Sequence, residues 1–90
     1  MKKAIEELQL NEKIKFTFQN EEFVIFRYGN YDRYDKVTGC SISREGTLFN
    51  SMNIEKVTSK YITVYEFNMM GQKSTFKFPI NEIKSLTKTQ

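Results

Sequence analysis

Hydrophobic and polar residues alternate with a period of two along much of this chain, as expected of β-strands with one buried face. In residues 13–18, KIKFTF, the alternation sets Ile14, Phe16 and Phe18 against Lys13, Lys15 and Thr17. Gln19-Asn20 then supply a tight turn, because Asn tolerates the left-handed backbone a short hairpin needs. EEFVIFRY continues as a second strand, with Phe23 and Ile25 on one face and Val24 and Phe26 on the other. A strand apolar on both faces is expected at the centre of a sheet, covered on both sides. CSIS at 40–43 predicts a short strand, Arg44-Glu45-Gly46 a turn, and Thr47-Leu48-Phe49 a return to extension. Met52, Ile54 and Val57 fit either a strand or a bent connection.

The clearest pattern lies near the C-terminus. In KYITVYEF, Ile62 and Val64 share one face, while Tyr61, Thr63, Tyr65 and Phe67 share the other. NMMGQ is a loop of the length that carries a Gly bulge. KSTFKF then turns Phe76 and Phe78 inward and Thr75 and Lys77 outward. Pro79 ends that strand because it has no N–H to give to a ladder. Ile80 and Ile83 span one tight turn, and Ile83 to Leu86 predict a last short strand before a frayed tail from Lys88. At the other end, KKAIEELQ at 2–9 predicts a short helix docked through Ile5 and Leu8, with Asn11 as its stop. Eight residues do not hold a helix alone.

Five or six short strands and one helix predict a mainly β fold in a single domain over residues 1–90. It is either a five- to six-stranded antiparallel sheet or a small barrel, whose closure would remove exposed edges. Residues 60–86 resemble the C-terminal half of Sm-like barrels. The shared pattern is a β-branched strand, a short Gly-bearing hairpin, an aromatic strand, and a Pro-containing turn into a closing strand. FPINEI at 78–83, with the N-terminal helix leading into a strand, is also similar to the bacterial YolD-like group. The resemblance implies a small SH3/Sm-like barrel. It carries over no RNA-binding residues, and the insert at 28–39 departs from a compact Sm barrel.

Composition narrows the function classes. The chain of 90 residues has eight Phe, five Tyr and no Trp. Its net charge of +3 is uneven: residues 1–50 balance, and the whole excess lies in 51–90. Cys40 is the only cysteine, so there is no internal disulfide, and its place beside Ile42 predicts a small core residue. No apolar run approaches a membrane span, and a cytoplasmic protein with no membrane association is expected. The Lys-, Asn- and Ile-rich composition matches a low-GC bacterium or its phage. There is no His, and no nucleophile–base arrangement, zinc spacing or Gly-rich phosphate loop. Asn30, Asp32 and Asp35 make a poor cation site. The expectation is therefore no enzyme, no cofactor and no metal.

Binding remains, and two segments are candidates for a protein partner. The first is the 28–36 loop, where Tyr28, Tyr31 and Tyr34 recur every three residues with Arg33 between them. Tyr and Arg are enriched at binding hot spots, although the same tyrosines would also serve to cover a barrel end. The second is Met69-Met70 at the hairpin tip, whose flexible thioethers suit an adaptable contact or would cap an open end. The outer face Tyr61/Tyr65/Phe67 is too aromatic to be left in water, so the helix, a partner or a second copy should cover it. The leading expectation is a non-catalytic interaction module, such as a regulator or inhibitor. The alternative is a single-stranded DNA- or RNA-binding barrel, with Lys56, Lys60, Lys73 and Lys77 on phosphates and tyrosines on bases. A third is a structural subunit of a larger assembly, with homo-oligomers possible.

Overall fold

The computed structural model describes residues 1–29, 36–46 and 51–89. Helix α1 (Lys2–Glu6) precedes seven strands: β1 (Lys13–Phe18), β2 (Glu21–Arg27), β3 (Cys40–Arg44), β4 (Met52–Val57), β5 (Tyr61–Phe67), β6 (Lys73–Pro79) and β7 (Lys84–Thr89). A single 3-10 turn, Ile80–Glu82, joins β6 to β7. The strands form one sheet in the order β6-β5-β4-β3-β2-β1-β7, and every neighbouring pair is antiparallel. The mainly β fold with a short N-terminal helix is as the sequence predicts, with more strands than the five or six expected. None of the described helical segments is long and apolar enough to cross a membrane.

The β1–β2 hairpin follows its sequence signal. Gln19 and Asn20 both take positive φ, 51° and 64°, the left-handed geometry of a two-residue hairpin turn. The register then sets Phe16 opposite Phe23 and Ile14 opposite Ile25. These side chains, with Ile42, Ile54, Ile62, Val64 and Phe78, line the inner face of the sheet and form the core. The sheet is strongly curled. Phe78 on β6 lies 5.1 Å from the rings of both Phe18 and Phe23 and 5.8 Å from Phe16, although β1 and β2 sit near the opposite end of the strand order. These edge-on contacts between aromatic rings draw the two ends of the sheet together.

The backbone ladder does not close, which corrects the closed-barrel expectation. No described strand pairs with the outer edge of β6 or of β7. Ring packing of Phe18 against Phe76 and Phe78 occupies the seam in place of hydrogen bonds. β7 also bends where its register with β1 shifts between Lys15 and Thr17, with Ser85 at φ 55°. The C-terminal end is not the frayed tail the sequence suggested. β7 runs to Thr89, with Lys88 opposite Ile14 and Thr89 opposite Lys13.

Helix α1 and the turn after it plug one end of the curled sheet through Ile5 and Leu8, both fully buried. The helix is shorter than the predicted 2–9, and the reason is local. The Gln9 N–H, which would extend the helix to Ile5, instead donates to Glu12 Oε1 at 2.8 Å. This bond holds the Glu12 carboxyl below the usual carboxylate range. The Ile5 carbonyl accepts from Arg27 Nη2 at 3.0 Å. Arg27 Nε donates to the Leu8 carbonyl, and Nη2 also donates to Lys36 O at 2.6 Å. A buried guanidinium on β2 thus fixes the plug. Tyr61 and Phe67 on the aromatic outer face of β5 stay exposed, so the helix does not cover that face.

Candidate interaction surface

The outer face of β4–β5–β6 follows directly from register. Asn53 stands opposite Tyr65, and Lys56 opposite Thr63. On the other side, Lys73, Thr75, Lys77 and Pro79 stand opposite Phe67, Tyr65, Thr63 and Tyr61. The period-two reading therefore places Tyr61, Tyr65 and Phe67 correctly on one face. Tyr61 and Phe67 are exposed and Tyr65 is half-buried. Tyr65 and Phe67 meet edge to face at 5.8 Å.

The lysines lie over these rings. Lys73 Nζ is 4.8 Å from the Tyr65 centroid and Lys77 Nζ 5.4 Å from that of Tyr61, both within the range of a cation–π contact. Lys73 also pairs with Glu55 at 3.3 Å. Lys56, opposite Thr63, and Lys60, just ahead of β5, are both exposed. The surface is aromatic and basic, with Tyr61, Phe67 and the lysines exposed, Tyr65 half-buried and Thr63 buried.

The tip at 68–72 is built rather than loose. Asn68 Oδ1 accepts the N–H groups of Met70 and Gln72, each at 2.9 Å, and its Nδ2 donates to Gln72 Oε1 at 2.9 Å. The Gly71 N–H donates to Asn68 O at 3.0 Å, and Gly71 takes φ +79°, where a side chain would be strained. This network turns Met69 and Met70 into solvent, at 105% and 85% exposure, beside Phe67 at 60%. The organising residue is Asn68, which the sequence reading passed over. Its signal was the Asx-turn preference of Asn at the mouth of a loop.

The 28–36 candidate is described only in part. Tyr31, Arg33 and Tyr34 lie outside the described residues, as do Asn30, Asp32 and Asp35 of the weighed cation site. Tyr28 is exposed, and its OH donates to Thr38 O at 3.0 Å and lies 3.4 Å from Asn53 Oδ1. Because Asn53 is the cross-strand neighbour of Tyr65, Tyr28 joins the edge of the same outer face. The structure thus brings Tyr28 toward Tyr65, with Met69 and Met70 on the tip just beyond Phe67.

Cys40 sits in the core at 0% exposure, opposite Arg27. Burial pushes its thiol above the ordinary range, against a smaller opposing effect of the Arg27 charge. A thiol held neutral and out of contact with water is a poor nucleophile. In native protein at neutral pH, Cys40 should react with a disulfide reagent far more slowly than in urea-unfolded chain. Equal rates in a stopped-flow thiol assay would contradict this burial. Among the described residues, no three His, Cys, Asp or Glu side chains are placed to hold a metal ion. Comparisons of the chain with protein-family models, curated proteins and solved structures find no match.

Proposed function

We propose that this chain is a non-catalytic protein-interaction module, whose contact surface is the outer face of the β5–β6 hairpin with its methionine tip. The observation that carries the reading is the pair of fully exposed methionines held out by the Asn68 network beside Phe67. Large apolar side chains exposed together mark interaction sites. A loop already ordered by its own hydrogen bonds loses little further entropy on binding. Tyr61, Tyr65 and Tyr28 extend the patch with rigid aromatic area of the kind that dominates interface energetics. A regulator or inhibitor would need no more than such a surface.

The test is affinity capture from a lysate of the source cells, using tagged chain and the variant Phe67→Ser/Met69→Ser/Met70→Ser. The variant should lose the partner while its unfolding free energy changes by no more than about 0.5 kcal/mol, as for surface sites away from caps and core. Undiminished capture by the variant would remove this surface from the account.

A second reading, a small barrel for single-stranded nucleic acid, is favoured by one observation: the ammonium groups of Lys73 and Lys77 lie over tyrosine rings. That juxtaposition would serve phosphates and bases together. Capture abolished by nuclease, with a salt slope near −0.7 per phosphate neutralised, would support it over the protein reading.

A further inference from the structure

The free side of β6 can be read from its ladder. Pairing with β5 runs unbroken from Phe67–Lys73 to Tyr61–Pro79. Two hydrogen bonds bracket it: Asn68 N–H to Gln72 O at 3.0 Å, and Ile80 N–H to Lys60 O at 2.8 Å. Antiparallel pairs alternate between bonded and non-bonded positions. Ser74, Phe76 and Phe78 therefore turn their backbone groups toward β5. Lys73, Thr75 and Lys77 turn theirs toward an edge that no described strand occupies. Pro79 has no N–H to offer there, and the 3-10 turn beyond it leads straight to β7. The usable edge is Lys73–Lys77.

The two sides of this edge differ in chemistry. On the inner side, a cleft of about 440 Å³ is lined by Phe18, Phe23, Phe76 and Phe78, with the polar side chains of Glu21, Arg44 and Glu66; Arg44 pairs with Glu21 at 3.5 Å. Phe76 stands at its mouth, 47% exposed. On the outer side stand Lys73 and Lys77. A strand laid along the edge would place alternate residues over the aromatic cleft and beside the lysines.

We propose that Lys73–Lys77 accepts an extended segment of another protein as an added strand, with apolar residues facing the cleft and acidic residues facing Lys73 and Lys77. Backbone bonds to Lys73, Thr75 and Lys77 supply affinity, and the alternating side chains supply selectivity, as in other strand additions. The aromatic lining selects apolar residues at the cleft positions, since Glu21 there is already paired with Arg44. A second copy of this chain is a poor occupant. Its own edge strands, KSTFKFP and KSLTKT, are both basic, and like charges face to face across a ladder destabilise it. Lysine on an edge is a recognised guard against self-pairing. The inference rests on the protein-interaction reading and specifies how the partner is held.

Fluorescence polarisation with synthetic, capped peptides long enough to span Lys73–Lys77 tests it. A peptide alternating Val and Glu should bind the full chain. One alternating Val and Lys, and one with the same Val and Glu residues in two blocks, should not. In NMR hydrogen exchange, the Val/Glu peptide should slow the amides of Lys73, Thr75 and Lys77 selectively. Thr75→Pro removes one edge donor without touching the β5 ladder, and should weaken binding by about tenfold. Lys73→Glu/Lys77→Glu alters only exposed side chains, and should transfer the preference to the Val/Lys peptide. Equal binding of all three peptides, no preference change in the charge-reversed variant, or concentration-dependent dimers that compete with the peptide would overturn the proposal. A chain that still captures its partner through Phe67, Met69 and Met70, yet binds none of the peptides, would overturn strand addition and leave the interaction reading intact.

Discussion

Arg27→Met should destabilise the protein by at least about 3 kcal/mol, a large part of the stability of so small a domain. Arg27 is only 3% exposed. Its guanidinium donates to three carbonyls: those of Leu8 and Ile5, and that of Lys36 ahead of β3. It joins the helical plug, strand β2 and the approach to β3 at one point. Methionine fills similar space but donates nothing, so three inward-facing carbonyls lose a charged donor at once. Each buried polar group left unsatisfied costs about 1–3 kcal/mol; the Ile5 carbonyl keeps the Leu8 N–H at 3.2 Å, and partial unseating of α1 relieves some of the rest. Arg27→Lys should recover little, because an ammonium cannot reproduce the planar fork that reaches separate acceptors. Urea unfolding gives the measurement. A lowered midpoint with unchanged slope is expected, and a loss below about 0.5 kcal/mol, the scale of an ordinary surface change, would mean that the plug is held by Ile5 and Leu8 alone.

Phe78→Ala should cost about 3–5 kcal/mol, the range for truncating a buried aromatic. Phe78 is 1% exposed and contacts Phe16, Phe18, Phe23 and Phe76 at centroid distances from 4.9 to 5.8 Å. It is the side chain through which β6 is held against β1 and β2 without any backbone pairing. Its removal creates a cavity and releases the curl of the sheet together. Phe76, two residues earlier on the same face, is nearly half exposed. Phe76→Ala should cost well under half as much in the same thermal or urea series. Equal losses at the two positions would place the seam elsewhere.

Sequence pattern carried most of the strands and less of the site. β1, β2, β5 and β6 were legible because their inward residues alternate without a break. β4 was ambiguous for a physical reason. Its register shifts between Ile54 and Lys56, so Ile54 and Val57 face inward three residues apart, which imitates a turn of helix or a bent connection. The last strand, expected at Ile83–Leu86, is found as β7, but its run to Thr89 was not legible, since all six of its residues are exposed and its pairing with β1 carries it on. Arg27 shares the inward face of Phe23 and Ile25 by simple alternation, but a charged residue at a strand end gives no hint that helix carbonyls await it. The aromatic outer face of β5 was readable from the same period of two. The approach of Tyr28 to Asn53 was not, because it depends on β4 lying across β3 from the end of β2.

On the proposed reading, α1 and the Phe78 cluster serve the fold, while the β5–β6 hairpin serves contact. Hydrogen–deuterium exchange with mass spectrometry, on the tagged chain free and eluted with its captured partner, tests this most directly. Slowed exchange is expected in peptides covering Tyr61–Lys77, with α1 and β1 unchanged. Protection confined to α1, β1 or β7, with the hairpin exchanging as in the free chain, would contradict that reading.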